Sequence, residues 1–301
     1  MNLTEVDNKA CVHIEYHADD YGLFPTQSRR ILDCHVNGKL NGVSIMPNSP
    51  ELDECIELLR PYEKEIACTI HLNLIEGRSV CNPAEVPLLV DKNGLLSGGF
   101  ARLLLCSLLP GRKSYKEQIK REFKAQIQLV RPKLSEDTPL RLDGHAHYHM
   151  LPVAFDALME LITEEKLNVS YIRIPREYSY IYFRHWRSLS DISPINFIKV
   201  LVLNALSRRN IRKYGSYLNT LEKKLFMGVF LSGRMYRENV APLLTDAVRL
   251  AEKSCCGIEI LAHPGGVFER EDAEKLTCTE DIAFLTSKAR IRERSLFVHE
   301  E

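Results

Sequence analysis

The chain has 301 residues, 45% of them hydrophobic and 27% charged, which describes a globular protein with material for one large α/β domain or two smaller ones. Its 40 basic and 40 acidic side chains cancel, so no whole-molecule field draws nucleic acid or an anionic membrane, and a polyanionic substrate is disfavoured. Nine scattered cysteines without a Cys-x-x-Cys, and Glu5, Asp7 and Lys9 ahead of any apolar run, argue against a disulfide framework, a zinc knuckle and a signal peptide, and point to the cytoplasm.

Strand-like and helix-like segments then alternate. The segments 11–17, 42–47, 66–72, 140–146, 169–174, 226–231 and 257–262 are short and mostly rich in β-branched residues, as buried parallel strands are. Between the third and fourth lies the clearest helix. It starts at Ser114, which forms a capping-box pattern with Glu117, shows Ile119, Phe123, Ile127 and Val130 on one face, and stops before Pro132. Leu151-Pro152 reads as another helix start, and Leu244, Val248 and Ala251 mark a helix over 241–253. The longest apolar run, Phe197 to Leu206, is about half a membrane span and contains Lys199, so no transmembrane helix is expected. Repeated β-α units without a linker predict a single domain over 1–301: an α/β, TIM-like (β/α) barrel, distorted, with about seven parallel strands.

The strand ends collect side chains that carry chemistry. Asp19 and Asp20 end the first, His71 the third, Asp143 and His145 the fourth, Arg173 the fifth and His263 the seventh. In parallel barrels these ends form one face, and the active site sits there. The adjacent carboxylates of His17-Ala-Asp-Asp-Tyr-Gly repel each other and resist desolvation unless a cation or a proton compensates. Each residue alone has an ordinary alternative: Asp20 as a helix N-cap, His71 as a satisfied core histidine, Arg173 as a structural ion pair. The run Asp143-Gly-His-Ala-His-Tyr-His is more pointed, because a spacing of two puts Asp143, His145, His147 and His149 on one side of an extended chain. A solvated histidine-rich loop is its alternative.

HADDYG resembles the Asn-Ala-Asp-Asp-Phe-Gly signature of the YdjC-like (ChbG) carbohydrate deacetylases. SIMPNSP at 44–50, HLNL at 71–74, NPAEVPLLVDKNGLL at 82–96, LDGHAHYHMLP at 142–152, IRIPRE at 172–177, GVFLSGRM at 228–235 and AHPGG at 262–266 match in the same order, so the resemblance covers about 11–290. It implies a TIM-like barrel, one divalent metal ion, magnesium or zinc, and removal of acetyl groups from N-acetylated sugars such as chitin oligosaccharides. Carried over residue by residue, the metal ligands fall on Asp20, His71 and His145 and the catalytic base on Asp19. His263 falls on the histidine that protonates the departing amine as metal-bound water attacks the amide carbon. His147 and Arg173 are secondary candidates for contact with the sugar, with His147 equally placed to orient a ligand and Arg173 to hold an active-site carboxylate; Asp143 fits a partner of a liganding imidazole. His17 stands where the family usually has asparagine. Other amide, ester or phosphoester hydrolysis, and silent sugar binding, remain as alternatives.

The stretch from Tyr178 to Lys224 matches the family least. Tyr178, Tyr180, Tyr182, Phe183 and Trp186 followed by Arg208, Arg209, Arg212 and Lys213 suit stacking on a nucleic acid strand in principle. A solvated basic face is preferred, no nucleic acid partner is expected, and Tyr182 or Trp186 are candidates to stack on a sugar. The apolar helix at 197–206 is the surface to suspect in a homodimer, a state the family commonly adopts.

Overall fold

Seven parallel strands make one sheet: β1 (Ile14–Tyr21), β2 (Gly42–Ile45), β3 (Ala67–Leu72), β4 (Leu140–Gly144), β5 (Val169–Ile172), β6 (Lys224–Met227) and β7 (Gly257–Ala262). The structure, a computed structural model, describes residues 12–109, 111–135, 138–189, 193–277 and 279–298. Strand order is β5-β4-β3-β2-β1-β7-β6, the cyclic order of a (β/α) barrel opened between β5 and β6. The expected distorted barrel of about seven strands is therefore what the chain forms. Around it lie α1 (Pro25–Val36), α2 (Leu52–Leu59), α3 (Phe100–Cys106), α4 (Arg112–Val130), α5 (Pro152–Glu164), α6 (Ser179–Arg184), α7 (Pro194–Leu218), α8 (Arg237–Ser254), α9 (Arg270–Ala273), α10 (Thr279–Leu285) and α11 (Ala289–Glu293). Among the described residues no helix is long and apolar enough to cross a membrane.

Several boundaries depart from expectation for local reasons. Cys11 lies outside the described residues, and β1 runs on through both aspartates instead of stopping at His17. β6 covers 224–227 rather than 226–231, because the next three N–H groups leave the ladder: Gly228, Val229 and Phe230 donate to the buried carboxylate of Glu177 at 2.6, 2.7 and 3.0 Å. Ser114 is not a cap. α4 begins at Arg112 behind Gly111, and its first turn carries no side-chain cap. The predicted apolar face of Ile119, Phe123, Ile127 and Val130 is buried. α5 begins at Pro152 as expected, and α8 starts one turn before 241 with Pro242 inside it.

The lumen decides the chemistry. Along β1, Tyr16 and Ala18 join the apolar core, while Glu15, His17 and Asp19 alternate with them on the opposite face. That face looks across the barrel. Arg141 of β4 donates to both oxygens of Glu15 at 2.8 and 2.9 Å, Lys224 of β6 pairs with the same carboxylate, and the Tyr171 hydroxyl of β5 donates to Glu259 of β7. These contacts tie β5 and β6, the two edges of the opened wall, to strands on the far side.

Candidate functional site

The local backbone of β1 explains how two neighbouring aspartates share one face. In a regular strand they would point to opposite sides. Asp20 adopts φ 66°, a left-handed conformation that costs most residues about 1–2 kcal/mol and that aspartate tolerates better than most, and the β1–β2 register shifts between Ala18 and Tyr21. Gln27 and Ser28 of α1 hold the turn, donating from Nε2 to the Asp20 carbonyl at 2.8 Å and accepting the Gly22 N–H at 3.0 Å. Both carboxylates thus meet at the mouth of the lumen.

Asp20, His71 and His145 bring three ligand-type atoms within 4.8 Å of one another, all buried. Asp20 Oδ1 lies 3.0 Å from His145 Nδ1 and 3.7 Å from His71 Nε2, and the two imidazoles meet edge to face at 5.4 Å. The other nitrogen of His71 is already engaged, Nδ1 lying 2.7 Å from Asp143 Oδ1. Nε2 is left buried with no hydrogen-bond partner, on a side chain 1% exposed. An orphaned imidazole nitrogen in a cage with a carboxylate and a second imidazole fits a divalent cation, since two nitrogens and one oxygen leave coordination positions for water or substrate. Two further acidic groupings, Glu15–His17–Glu259 and His17–Asp19–Asp143, are threaded by Arg173, Arg141 and Lys224, so their charge is met without a metal.

Asp19 stands beside this cage, 3.8 Å from His71 Nε2. Burial alone would raise its pKa, yet the Arg173 guanidinium, His71 and His17 outweigh burial and neighbouring Asp143 and hold it below the ordinary aspartate value. Arg173 Nη1 contacts both Asp19 oxygens at 2.9 Å and Asp143 at 2.5 Å, while Nη2 reaches Glu259 at 2.6 Å. Arg173 is 0% exposed. That corrects the expectation of a sugar-binding arginine: a guanidinium enclosed by three carboxylates has no surface to offer a sugar, and it holds active-site carboxylates instead.

His263, the residue after β7, presents a side chain 12% exposed, with Nδ1 3.5 Å from Glu293 Oε2 and its own N–H donating to that oxygen at 2.7 Å. Its ring packs edge-on against Phe284 at 4.9 Å. Glu293 is fully enclosed; burial pushes it up, but His263 and the N–H groups of Met235 and His263 bring it below the ordinary glutamate value. Asp20 has a similar warden. Arg290 Nη2 lies 2.8 Å from Asp20 Oδ2, and Arg290 is itself fixed by the carbonyls of Gly265 and Phe284 at 3.0 Å each. Against burial, Arg290, His145 and His263 hold Asp20 well below the ordinary range. Sequence reasoning missed Arg290 and Glu293. The signal was available in Ala289-Arg-Ile-Arg-Glu, where Arg290 and Glu293 fall three apart on one helical turn, and in the surplus of strand-end carboxylates over strand-end cations.

The histidine run is not extended. Residues 145–150 coil into a 3-10 turn in which Ala146 and His147 have φ 49° and 60°. His145 joins the cage, whereas His149 is turned away, its Nε2 2.9 Å from the Arg173 carbonyl, and His147 is half-buried with its ring edge against Phe226 at 5.5 Å. Tyr182 is core rather than surface, stacked on Phe230 at 4.3 Å, which removes it as a sugar platform; Trp186 is exposed. Arg209 and Lys213 converge on Asp156, so part of the expected basic face is spent on an internal ion pair. On α7, Ile195, Ile198 and Leu201 are exposed. A cleft of about 800 Å³ between α4, α5 and α7 lies away from the strand ends and is lined by ion-paired Lys116, Glu160 and Asp156.

The family profile described as YdjC-like protein matches residues 14–301. The chain belongs to the YdjC-like family. It is 28% identical to a carbohydrate deacetylase of Xenopus laevis over 261 residues, 82% of this chain and 79% of that one, and 30% identical to a carbohydrate deacetylase of Mus musculus over 172 residues, 55% and 51%. A chitooligosaccharide deacetylase of Yersinia pestis is 26% identical over 151 residues, 50% of this chain and 56% of that one. The chain spans about half the length of several such curated relatives, 48% for the one from Danio rerio. A solved structure from Enterococcus faecalis, described as a cellobiose-phosphate cleavage protein, superposes with a TM-score of 0.59 over 96% of this chain and 97% of that one at 17% identity, which speaks for the fold alone.

Proposed function

We propose that this YdjC-like protein is a metal-dependent hydrolase that removes the acetyl group from N-acetylated sugars, with chitin-type oligosaccharides carrying N-acetylglucosamine as the leading substrate. The observation that carries this reading is the buried, unpartnered His71 Nε2 facing Asp20 and His145 beside an ionised Asp19. The carbohydrate and chitooligosaccharide deacetylases among its relatives support the substrate class.

Asp20, His71 and His145 would hold a divalent cation, zinc or magnesium, which would supply Lewis acidity toward water and the acyl oxygen. Asp19 accepts the proton of the attacking water; Arg173 keeps it ionised and fixes both its oxygens, so that it is available as a base rather than as a fourth ligand. Asp143 binds His71 Nδ1, which sets the tautomer and aims Nε2 at the cage. His263, backed by Glu293, gives a proton to the departing amine. His147 borders the sugar. Acetate release from N,N'-diacetylchitobiose and longer chitin oligosaccharides, with chelator-stripped protein reloaded singly with zinc, magnesium, manganese or cobalt, tests the reading. Metal-dependent release is expected; stoichiometric metal binding with no release from any acetylated sugar would sink the deacetylase assignment and favour another amide or ester substrate.

A further inference from the structure

We propose that His17 donates from both ring nitrogens, as an imidazolium, at the centre of the lumen, and that it positions Asp143 and, through it, His71. The charge follows from counting hydrogens. His17 Nδ1 lies 2.8 Å from Glu15 Oε1 and Nε2 lies 2.7 Å from Ser44 Oγ. A carboxylate held ionised by Arg141 and Lys224 accepts only, so Nδ1 carries a proton. Ser44 has one hydroxyl proton, and it is given to Asp143 Oδ2 at 2.6 Å. The serine oxygen therefore accepts on its remaining sides, from His17 Nε2 and, at 3.4 Å, from Arg173 Nη2. Both ring nitrogens must donate.

The charges lead to the same state. The groups facing His17 are Glu15 and Asp19 on β1, Asp143 on β4, Arg173 beyond β5 and Glu259 on β7, with Arg141 and Lys224 bound to Glu15 and the Tyr171 hydroxyl on Glu259. Arg173 is shared by Asp19, Asp143 and Glu259, while Arg141 and Lys224 are divided between Glu15 and Glu222, so carboxylates outnumber permanent cations around the ring and a second ring proton lessens the excess. The ring also has a place made for it. A Cβ on Gly42 would stand 2.4 Å from His17 Nδ1 and 2.9 Å from Glu15 Oε1, so the glycine of β2 leaves the space the imidazole fills. One continuous chain results, from Glu15 through His17, Ser44 and Asp143 to His71 Nδ1.

The charge assignment stands apart from the deacetylase reading; the positioning role rests on the metal site within it. Metal-free protein labelled with 15N-histidine is examined by long-range 1H–15N correlation at neutral pH. His17, assigned by the resonance lost in His17→Asn or, if that variant does not fold, in His17→Gln, is expected to show both nitrogens protonated. A neutral tautomer at neutral pH overturns the proposal. For the second half, zinc affinity of the folded variant is expected to fall roughly tenfold, the lower end of what loss of an outer partner of a ligand costs. Unchanged affinity overturns the positioning role, and wild-type protein that binds no zinc overturns the metal reading while the charge assignment stands.

Discussion

The rim formed by β1, β3 and β4 and the short helix α11 serve the same site in opposite ways. The rim supplies the atoms that would meet a cation or a substrate: Asp19, Asp20, His71 and His145 all sit at or just past strand ends, on backbones fixed by the sheet ladder. Helix α11 supplies none of these. Its Arg290 and Glu293 grip Asp20 and His263 from behind, although they lie about 25 to 30 residues past the last strand-end motif. The contrast teaches that a barrel can place ligand-type groups with local motifs and still depend on a distant turn of helix to keep a buried carboxylate charged and a strand-end histidine held.

Breaking the rim should have the largest effect. Asp19→Asn is expected to lower turnover by roughly 10²–10⁴ with metal binding retained. A variant near wild-type rate, measured by acetate release, removes Asp19 from the role of base. Next comes the clasp. Arg290→Gln leaves Asp20 buried without its countercharge, and the metal-free protein should lose about 3–5 kcal/mol of unfolding free energy. Because a bound cation replaces the lost charge, saturating zinc should recover much of that difference in urea melts; equal losses with and without zinc would break the link between Arg290 and the cage.

Glu293→Gln sharpens the comparison through pH. Glu293 is held below its ordinary value, so its contribution is complete above the unfolded glutamate pKa and is lost as pH falls from there through the lower folded value. The wild type should exceed the variant by about 1–3 kcal/mol at neutral pH, and the gap should close on acidification from about pH 5 towards 3. A gap that persists at low pH would mean Glu293 acts by shape rather than by charge. The smallest effect is expected at Ser114. Exposed in the first turn of α4 and capping nothing, it should tolerate Ser114→Ala within about 0.5 kcal/mol, where a true cap would cost about 1.

Much of the rim could be read from the residues themselves. Short β-branched runs ending in Asp or His announce a parallel barrel and its active face, and the ladder confirms seven strands in cyclic order. What could not be read is whatever depends on a single dihedral angle or on chain ends meeting in space. No sequence pattern marks Asp20 as left-handed, though that one φ brings its carboxylate round to the side Asp19 already faces. The period-two reading of the histidine run failed for the same reason, since two residues with positive φ coil it and send His149 behind Arg173. By sequence Arg173 is divided between sugar contact and holding an active-site carboxylate, because its three carboxylate neighbours come from β1, β4 and β7.

The pairing of β1 with β7 also sets a timetable for the chain as it is made. Ile14 pairs with Ile258, so one side of the first strand has no neighbour until some 240 further residues have emerged, which at about 5–20 residues per second is on the order of ten to fifty seconds. During that interval Glu15 waits for Lys224, Asp19 for Arg173 and Asp20 for Arg290, with their charges still in water. A nascent chain stalled before residue 224 should therefore hold an unfinished sheet with an acidic inner face, a form whose exposed β1 edge a chaperone would have reason to cover.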